Sequence, residues 1–219
     1  MKIDIYSDTI CPWCFIGKRR LERALAERPQ PDLELAWRPF QLNPEMPSGG
    51  MERQRYLELK FGGAAGAKQT YDNVREAGRS EGIDFAFEQI GRTPNTLDSH
   101  RLIRLASEAG RQDAVVQALF DAYFLEARDV GDIDVLVAAA EAAGLDSAQA
   151  RAYLESDRDA EAVKAEDARA RHIGIQGVPT YILADKYVLS GAHPPEVLFH
   201  MFELGQQEDA AEADAQAKG

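Results

Sequence analysis

Two cysteines, Cys11 and Cys14, are separated by two residues, and the chain contains no other cysteine. They follow a segment in which apolar residues alternate, residues 2–7, and they open a segment of helical character, residues 13–28. The first turn of a helix has unsatisfied backbone N–H groups and a partial positive charge, and both stabilise a thiolate. Because a thiolate is the nucleophile of thiol–disulfide exchange, we predict a redox-active pair in which Cys11 attacks.

Cys14 lies one helical turn beyond Cys11, on the face that also carries Lys18, Leu21 and Leu25. We therefore expect Cys14 to be the more buried thiol and to resolve the mixed disulfide formed at Cys11. Two inert core cysteines are one alternative, because free cysteine is often buried. Half of a zinc site is another, but zinc needs about four ligands, and the sequence lacks a second cysteine pair. We therefore predict no metal site.

Composition narrows the classes of function. The chain has 219 residues, a net charge of −12, 45% hydrophobic residues and 28% charged residues, which is typical of a soluble globular protein. The negative charge argues against nucleic acid and anionic membranes as partners. The first residues enter a strand directly, without the pattern of a secretory signal, and no apolar run approaches membrane-spanning length. We expect a cytoplasmic protein whose cysteines are often reduced.

The order of elements is strand, helix, strand, a helical block, hairpin and helix. Strands at 2–7 and 33–37, joined by the first helix, predict a parallel pair with a right-handed crossover. Residues 44–50 predict a loop, and residues 83–87 an extended segment that covers the core. The predicted helices of the block are 51–61, 67–81, 95–109, 112–127, 133–143, 147–155 and 158–172. The predicted hairpin strands and last helix are 178–183, 187–190 and 195–205.

Five segments in this order resemble the thioredoxin superfamily. They are 7–17 (SDTICPWCFIG), 38–44 (RPFQLNP), 94–102 (PNTLDSHRL), 174–180 (GIQGVPT) and 190–192 (SGA). The chain is similar in particular to the DsbA-like branch, and within it to the FrnE-type oxidoreductases. The resemblance implies an α/β thioredoxin fold with a large all-helical insertion. Residues 1–44 and 175–206 would form the thioredoxin-like domain, residues 45–174 the helical insertion, and residues 207–219 a disordered acidic tail.

The resemblance also implies roles for individual residues. Cys11 and Cys14 would be the attacking and resolving thiols, and Pro179 a cis-proline that faces them. The loop of Pro179 would expose the backbone of Val178 to pair with a substrate. Pro12 and Trp13, which lie between the cysteines, are expected to contact the substrate as well.

A second group of residues, Asn95, Thr96 and His100, begins a helix that would lie over the active site. In the resemblance these residues contact substrate or glutathione. The alternative is a polar helix start followed by a partly buried, hydrogen-bonded histidine. Asp8 disfavours a nearby thiolate because it is an anion, and Arg38 either offsets that charge or pairs with another acid.

We therefore expect a thiol–disulfide oxidoreductase that acts on protein or small-molecule thiols and disulfides. No bound cofactor is expected, and glutathione is a candidate redox partner. One alternative is a glutathione-dependent isomerase of the 2-hydroxychromene-2-carboxylate type; these relatives carry serine where Cys11 stands. Another is a chaperone-like module that binds through an apolar groove of the insertion.

Overall fold

The computed structural model describes residues 1–217, apart from the side chains of Ala64 and of residues 211–217. Its strands are β1 (Lys2–Ser7), β2 (Glu34–Pro39), β3 (Met51–Glu52), β4 (Arg92–Thr93), β5 (Thr180–Leu183) and β6 (Tyr187–Ser190). Its α-helices are α1 (Pro12–Glu27), α2 (Arg53–Phe61), α3 (Ala64–Arg79), α4 (Leu97–Ser107), α5 (Gln112–Phe120), α6 (Ile133–Ala142), α7 (Ser147–Leu154), α8 (Ala160–His172) and α9 (Pro195–Ala217).

A four-stranded sheet in the order β2-β1-β5-β6 is the centre of the fold. Strand β1 pairs in parallel with β2 and antiparallel with β5, which in turn pairs antiparallel with β6. Ile3 and Ile5 of β1 are fully buried because β1 is an inner strand packed on both sides. The predicted parallel pair and hairpin are therefore confirmed. Both cysteines lie beyond the carboxyl end of β1, where the chain enters α1.

The segment between β2 and β5 is mostly helical, as expected for a thioredoxin fold of the DsbA-like kind with an insertion. It is not all-helical, however, because β3 and β4 form a short antiparallel ladder in which Met51 pairs with Thr93. We expected a helix from residue 51. Such a two-residue ladder depends on a partner some forty residues away, so local periodicity does not reveal it. The exact domain limits, 44/45 and 174/175, stay predictions.

Aromatic side chains join the insertion to α1. Phe15 of α1 stacks on Phe120 of α5, with ring centroids 5.1 Å apart, and contacts Phe85 edge-on at 6.1 Å. Phe85 and Phe87 are both buried, which confirms that residues 83–87 cover the core. Beyond α5 the chain continues as one π-helical segment, Asp121–Leu125. Helix α1, which begins at the two cysteines, is therefore anchored in the core of the insertion.

The last helix is longer than the sequence indicated. We expected α9 to end near Gly205 and residues 207–219 to be disordered, but α9 continues to Ala217. The expected disorder is thus wrong for 207–217, and residues 218 and 219 lie outside the described residues. The segment lacks large apolar side chains, which is why a core-based prediction missed it. Its alanine and glutamate residues favour a helix by intrinsic propensity alone.

Candidate active site

Cys11 occupies the N-cap position of α1, and Cys14 lies in the first turn of this helix. The backbone N–H of Cys14 donates to the Cys11 carbonyl oxygen at 3.0 Å, which closes the turn between them. Both cysteines are free thiols; Cys11 is 5% exposed and Cys14 1% exposed. The structure therefore places both thiols at the helix start and makes Cys14 the more buried one, as the sequence predicted.

The two residues between the cysteines differ in exposure. Pro12 is half-buried and is the first residue of α1, a position where its missing N–H leaves no helical bond unmade. Trp13 is 36% exposed, although it is a large apolar side chain. An indole left at the surface beside two thiols offers an apolar contact to a molecule that approaches the pair.

The loop before β5 lies directly against Cys11. The Cys11 thiol donates to the carbonyl oxygen of Val178 at a sulfur–oxygen distance of 3.5 Å. The Val178–Pro179 peptide bond is cis. Pro179 also packs on α1, because a Cβ atom added to Gly17 would lie 2.9 Å from the Pro179 ring. The expectation that this loop faces the cysteines is met by the geometry.

The surroundings of Cys14 shift its pKa in opposite directions. Burial raises its pKa most strongly, and the neighbouring Cys11 thiol raises it further through a hydrogen bond and its charge. The Ser7 hydroxyl and the backbone N–H of Asp8 donate to Cys14 and lower its pKa, but the balance lies well above the ordinary value. Cys14 is thus held as a thiol in the resting protein. Sequence reasoning missed Ser7, although its place at the end of β1, just before the motif, was a usable signal.

The three residues at the start of α4 that we expected to contact substrate differ in their exposure. Thr96 and His100 are 2% and 3% exposed, so both side chains face the interior in this structure. Substrate contact by Thr96 and His100 stays a prediction, and it would require these side chains to become accessible. Asn95 is half-buried, and its side-chain oxygen accepts the Leu97 N–H at 2.8 Å. The helix begins at Leu97, two residues later than predicted, because Asn95 forms the preceding turn.

Asp8 and Arg38 do not face each other. Arg38 pairs with Asp4 at 2.6 Å and with Glu166 at 3.1 Å, so it does not offset the charge of Asp8. The basic group that faces Asp8 is instead His100, whose Nε2 lies 3.5 Å from Asp8 Oδ1. The sequence places these two residues far apart, and it gave no signal of this pairing.

Within residues 1–217, no group of three or more histidine, cysteine, aspartate or glutamate side chains is arranged to hold a metal ion. None of the helices in this part of the chain combines the length and apolar character needed to span a bilayer.

The chain is similar to known proteins over most of its length. It is 29% identical over 199 residues to the uncharacterized protein YwbO of Bacillus subtilis (strain 168), covering 89% of this chain and 92% of YwbO. The crystal structure of the probable DsbA oxidoreductase SCO1869 from Streptomyces coelicolor is similar at 34% identity and a TM-score of 0.84. That match covers 95% of this chain and 91% of the other.

Two further solved structures share the fold at lower identity. One is 2-hydroxychromene-2-carboxylate isomerase, at 17% identity and a TM-score of 0.68 over 98% of this chain and 99% of the other. The other is the cytosolic disulfide reductase DsbM from Pseudomonas aeruginosa, solved with GSH, at 18% identity and a TM-score of 0.61 over the full length of both chains. The family model for the DSBA-like thioredoxin domain matches residues 2–203, and the chain belongs to that family.

Proposed function

We propose that this protein is a thiol–disulfide oxidoreductase in which Cys11 attacks and Cys14 resolves. The observation that carries the proposal is the position of Cys11 at the N-cap of α1, with its sulfur 3.5 Å from the Val178 carbonyl oxygen. The helix start favours the thiolate, and the loop of Val178 offers backbone groups beside it. Membership of the DSBA-like family and the similarity to SCO1869 support the same class of enzyme.

The reaction runs in two exchange steps. The Cys11 thiolate attacks one sulfur of a substrate disulfide, the substrate S–S bond breaks, and a mixed disulfide with Cys11 forms. Cys14 then loses its proton and attacks the Cys11 sulfur, which releases the second substrate thiolate; this takes up a proton. Two electrons pass to the substrate, and the Cys11–Cys14 disulfide is the oxidised product. The raised pKa of Cys14 keeps it protonated until the first step has occurred.

Substrate contacts follow from the surface around Cys11. The half-buried Pro12 and the exposed Trp13 lie between the two cysteines in the chain, and Val178, followed by Pro179, contacts Cys11 through its carbonyl oxygen. We assign apolar contact to Trp13, backbone pairing to Val178 and shaping of the loop to Pro179. Asn95, which is partly accessible, stays a candidate contact. The substrates are protein or small-molecule thiols and disulfides.

Glutathione is the redox partner that we favour. DsbM, which has the same fold, was solved with GSH and is described as a cytosolic disulfide reductase. The proposal includes a cytoplasmic location, where a glutathione pool keeps thiols reduced. Glutathione would act as a consumed thiol and not as a bound cofactor.

Turnover of insulin disulfides with dithiothreitol as electron donor tests the proposal. We expect the wild type to accelerate insulin reduction and Cys11→Ser to fall to the uncatalysed rate. Leu59→Ala, a change at a 66% exposed side chain of α2, serves as the matched control and should keep full activity. Absence of acceleration by the wild type would contradict the function. Conversion of 2-hydroxychromene-2-carboxylate in the presence of glutathione, retained by Cys11→Ser, would favour the isomerase instead.

A further inference from the structure

Asp8 and His100 form a buried polar pair behind the dithiol. Asp8 is fully buried and His100 is 3% exposed. His100 Nε2 and Asp8 Oδ1 lie 3.5 Å apart, and among the described residues neither atom has a hydrogen-bond partner. Buried polar atoms without partners are unfavourable, so two such atoms that face each other are best satisfied by a proton between them. The pair is therefore suited to hold one proton on Nε2.

Asp8 also contacts both cysteines through its backbone. Its carbonyl oxygen accepts the Cys11 N–H at 3.1 Å, and its own N–H donates to the Cys14 sulfur. Its second carboxylate oxygen accepts the Leu42 N–H at 2.6 Å, which fixes the side chain. The Asp8 carboxylate therefore belongs to the turn that carries Cys11, and a change of charge at the Asp8–His100 pair acts close to both thiols.

Several charged groups on elements packed against α4, among them β2, α5 and α8, have partners of their own. Arg38 pairs with Asp4 and Glu166, and on α8 Arg171 pairs with Asp167. On α1 and α5, Lys18 pairs with Asp113 at 2.9 Å. His100 also reaches the wall of a groove of about 370 Å³. The charged residues that line this groove are Lys2, Glu34, Arg38, Arg104, Asp113 and Glu166.

We propose that the Asp8–His100 pair holds a proton that cancels the charge of Asp8 while Cys14 is a thiolate during resolution. The inference rests on the proposed function and deepens it. His100 and Asp8 act as positioning residues, because neither touches the reacting sulfur with its side chain.

The proton balance follows from the second exchange step. Cys14 loses its proton, its thiolate forms the bond to Cys11, and the bond between Cys11 and the substrate breaks. While Cys14 is anionic, a protonated His100 cancels the charge of Asp8 and leaves the thiolate without an anionic neighbour. When His100 is neutral, the Asp8 carboxylate opposes the thiolate.

Single turnover with an aromatic disulfide that releases a coloured thiolate separates the two steps. The first release reports attack by Cys11, and the second reports resolution by Cys14. We expect His100→Gln to move the pH midpoint of the second phase up by about one unit, the lower end of the effect of a nearby charge. Below the midpoint, this slows resolution by about tenfold at a fixed pH. The first phase serves as the internal reference.

Asp8→Asn supplies the matched control, because it removes the charge but keeps an oxygen for Leu42 N–H. We expect Asp8→Asn not to raise the midpoint, and the double variant Asp8→Asn/His100→Gln to lose most of the shift caused by His100→Gln alone. A purely structural role predicts that the double variant is at least as impaired as His100→Gln, and this outcome would overturn the proposal. An unchanged midpoint in a folded His100→Gln variant would overturn it as well.

A measurement on the wild type keeps the inference testable if the variants do not fold. Nitrogen NMR of the imidazole in the reduced protein should show a charged His100 ring that carries a proton on Nε2. A ring whose Nε2 is unprotonated at neutral pH would contradict the pair. If the wild type releases no thiolate at all, the proposed function fails, whereas two normal phases that His100→Gln leaves unchanged refute only the inference.

Discussion

The thiol sulfur of Cys11 lies 3.5 Å from the carbonyl oxygen of Val178, although 167 residues separate them in the chain. Cys11 is the N-cap residue of α1, and Val178 lies in the loop just before β5. The contact exists because β1 and β5 are neighbours in the sheet, so that the segments beyond their ends meet at one edge. Changes that push these two segments apart should therefore impair the chemistry of the thiols.

Gly17 is the residue of α1 at which such a change is most direct. A Cβ atom here would lie 2.5 Å from the Tyr181 hydroxyl and 2.9 Å from the Pro179 ring. We predict that Gly17→Ala lowers the rate of insulin reduction about 10- to 100-fold, because small displacements of reacting groups carry penalties of that order. It should also lower the free energy of unfolding by about 1–3 kcal/mol through overpacking.

Gly91→Ala is the control for this substitution, since an added Cβ at Gly91 meets nothing within 4 Å. Insulin turnover and urea unfolding of both variants check the prediction. Equal activity of Gly17→Ala and Gly91→Ala would show that the loop tolerates displacement from Cys11.

Replacement of Phe15 tests whether α1 is anchored in the core of the insertion. It is 1% exposed, and its ring stacks on Phe120 and Phe124. Phe15→Ala should reduce the free energy of unfolding by about 3–5 kcal/mol, the usual cost of removing a buried phenylalanine side chain. Leu59→Ala, at an exposed site, should change it by less than about 0.5 kcal/mol. Urea unfolding followed by circular dichroism measures both, and a loss below about 1 kcal/mol for Phe15→Ala would contradict the packing described.

Cys14 makes the stability of the reduced protein depend on pH. Its pKa in the folded state is raised above the ordinary value of 9.0, chiefly by burial. The folded state therefore keeps a proton that the unfolded state loses, and the associated stability is fully present below pH 9.0 and declines above it. The slope should approach about 1.4 kcal/mol per pH unit for one proton.

Urea unfolding of reduced wild type and of Cys14→Ser at a series of alkaline pH values measures this slope. The buried Tyr123, whose pKa is also raised by burial, contributes equally in both proteins and cancels in the difference. Tyr181 does not cancel completely, because burial and the neighbouring Cys14 both raise its pKa. If the wild type and Cys14→Ser lost stability in parallel, the buried thiol would not be the cause.

Local patterns were sufficient for much of the fold. The alternation in β1, the thiols at the start of α1 and the hairpin of β5 and β6 each depend on neighbours in the chain, so the sequence displays them. The fold around them follows from the family resemblance, which also located Pro179 beside Cys11. Contacts between residues that are far apart in the sequence were not predicted. The ladder between Met51 and Thr93 is one case, and the pairing of buried atoms described above is another.

The burial of Thr96 and His100 shows the same limit within the site. Their spacing predicted a shared helix face, and the family resemblance predicted that this helix lies over the active site. Which side chains face inward is decided by contacts across the fold. One such contact joins the hydroxyl groups of Thr9 and Ser99 at 2.8 Å and ties the loop before Cys11 to α4. No local pattern distinguishes a helix that offers its polar residues to substrate from one that supports the loop beneath it.

The most direct test of the account traps the first intermediate. Reduced Cys14→Ser is mixed with an insulin-derived peptide disulfide, quenched in acid and analysed by peptide mass spectrometry. The account predicts a mixed disulfide at Cys11, which a Cys11→Ser variant does not form through its remaining Cys14. A peptide attached to Cys14 in Cys11→Ser at the rate seen for Cys11, or no adduct in Cys14→Ser, would contradict the assignment of Cys11 as the attacking thiol.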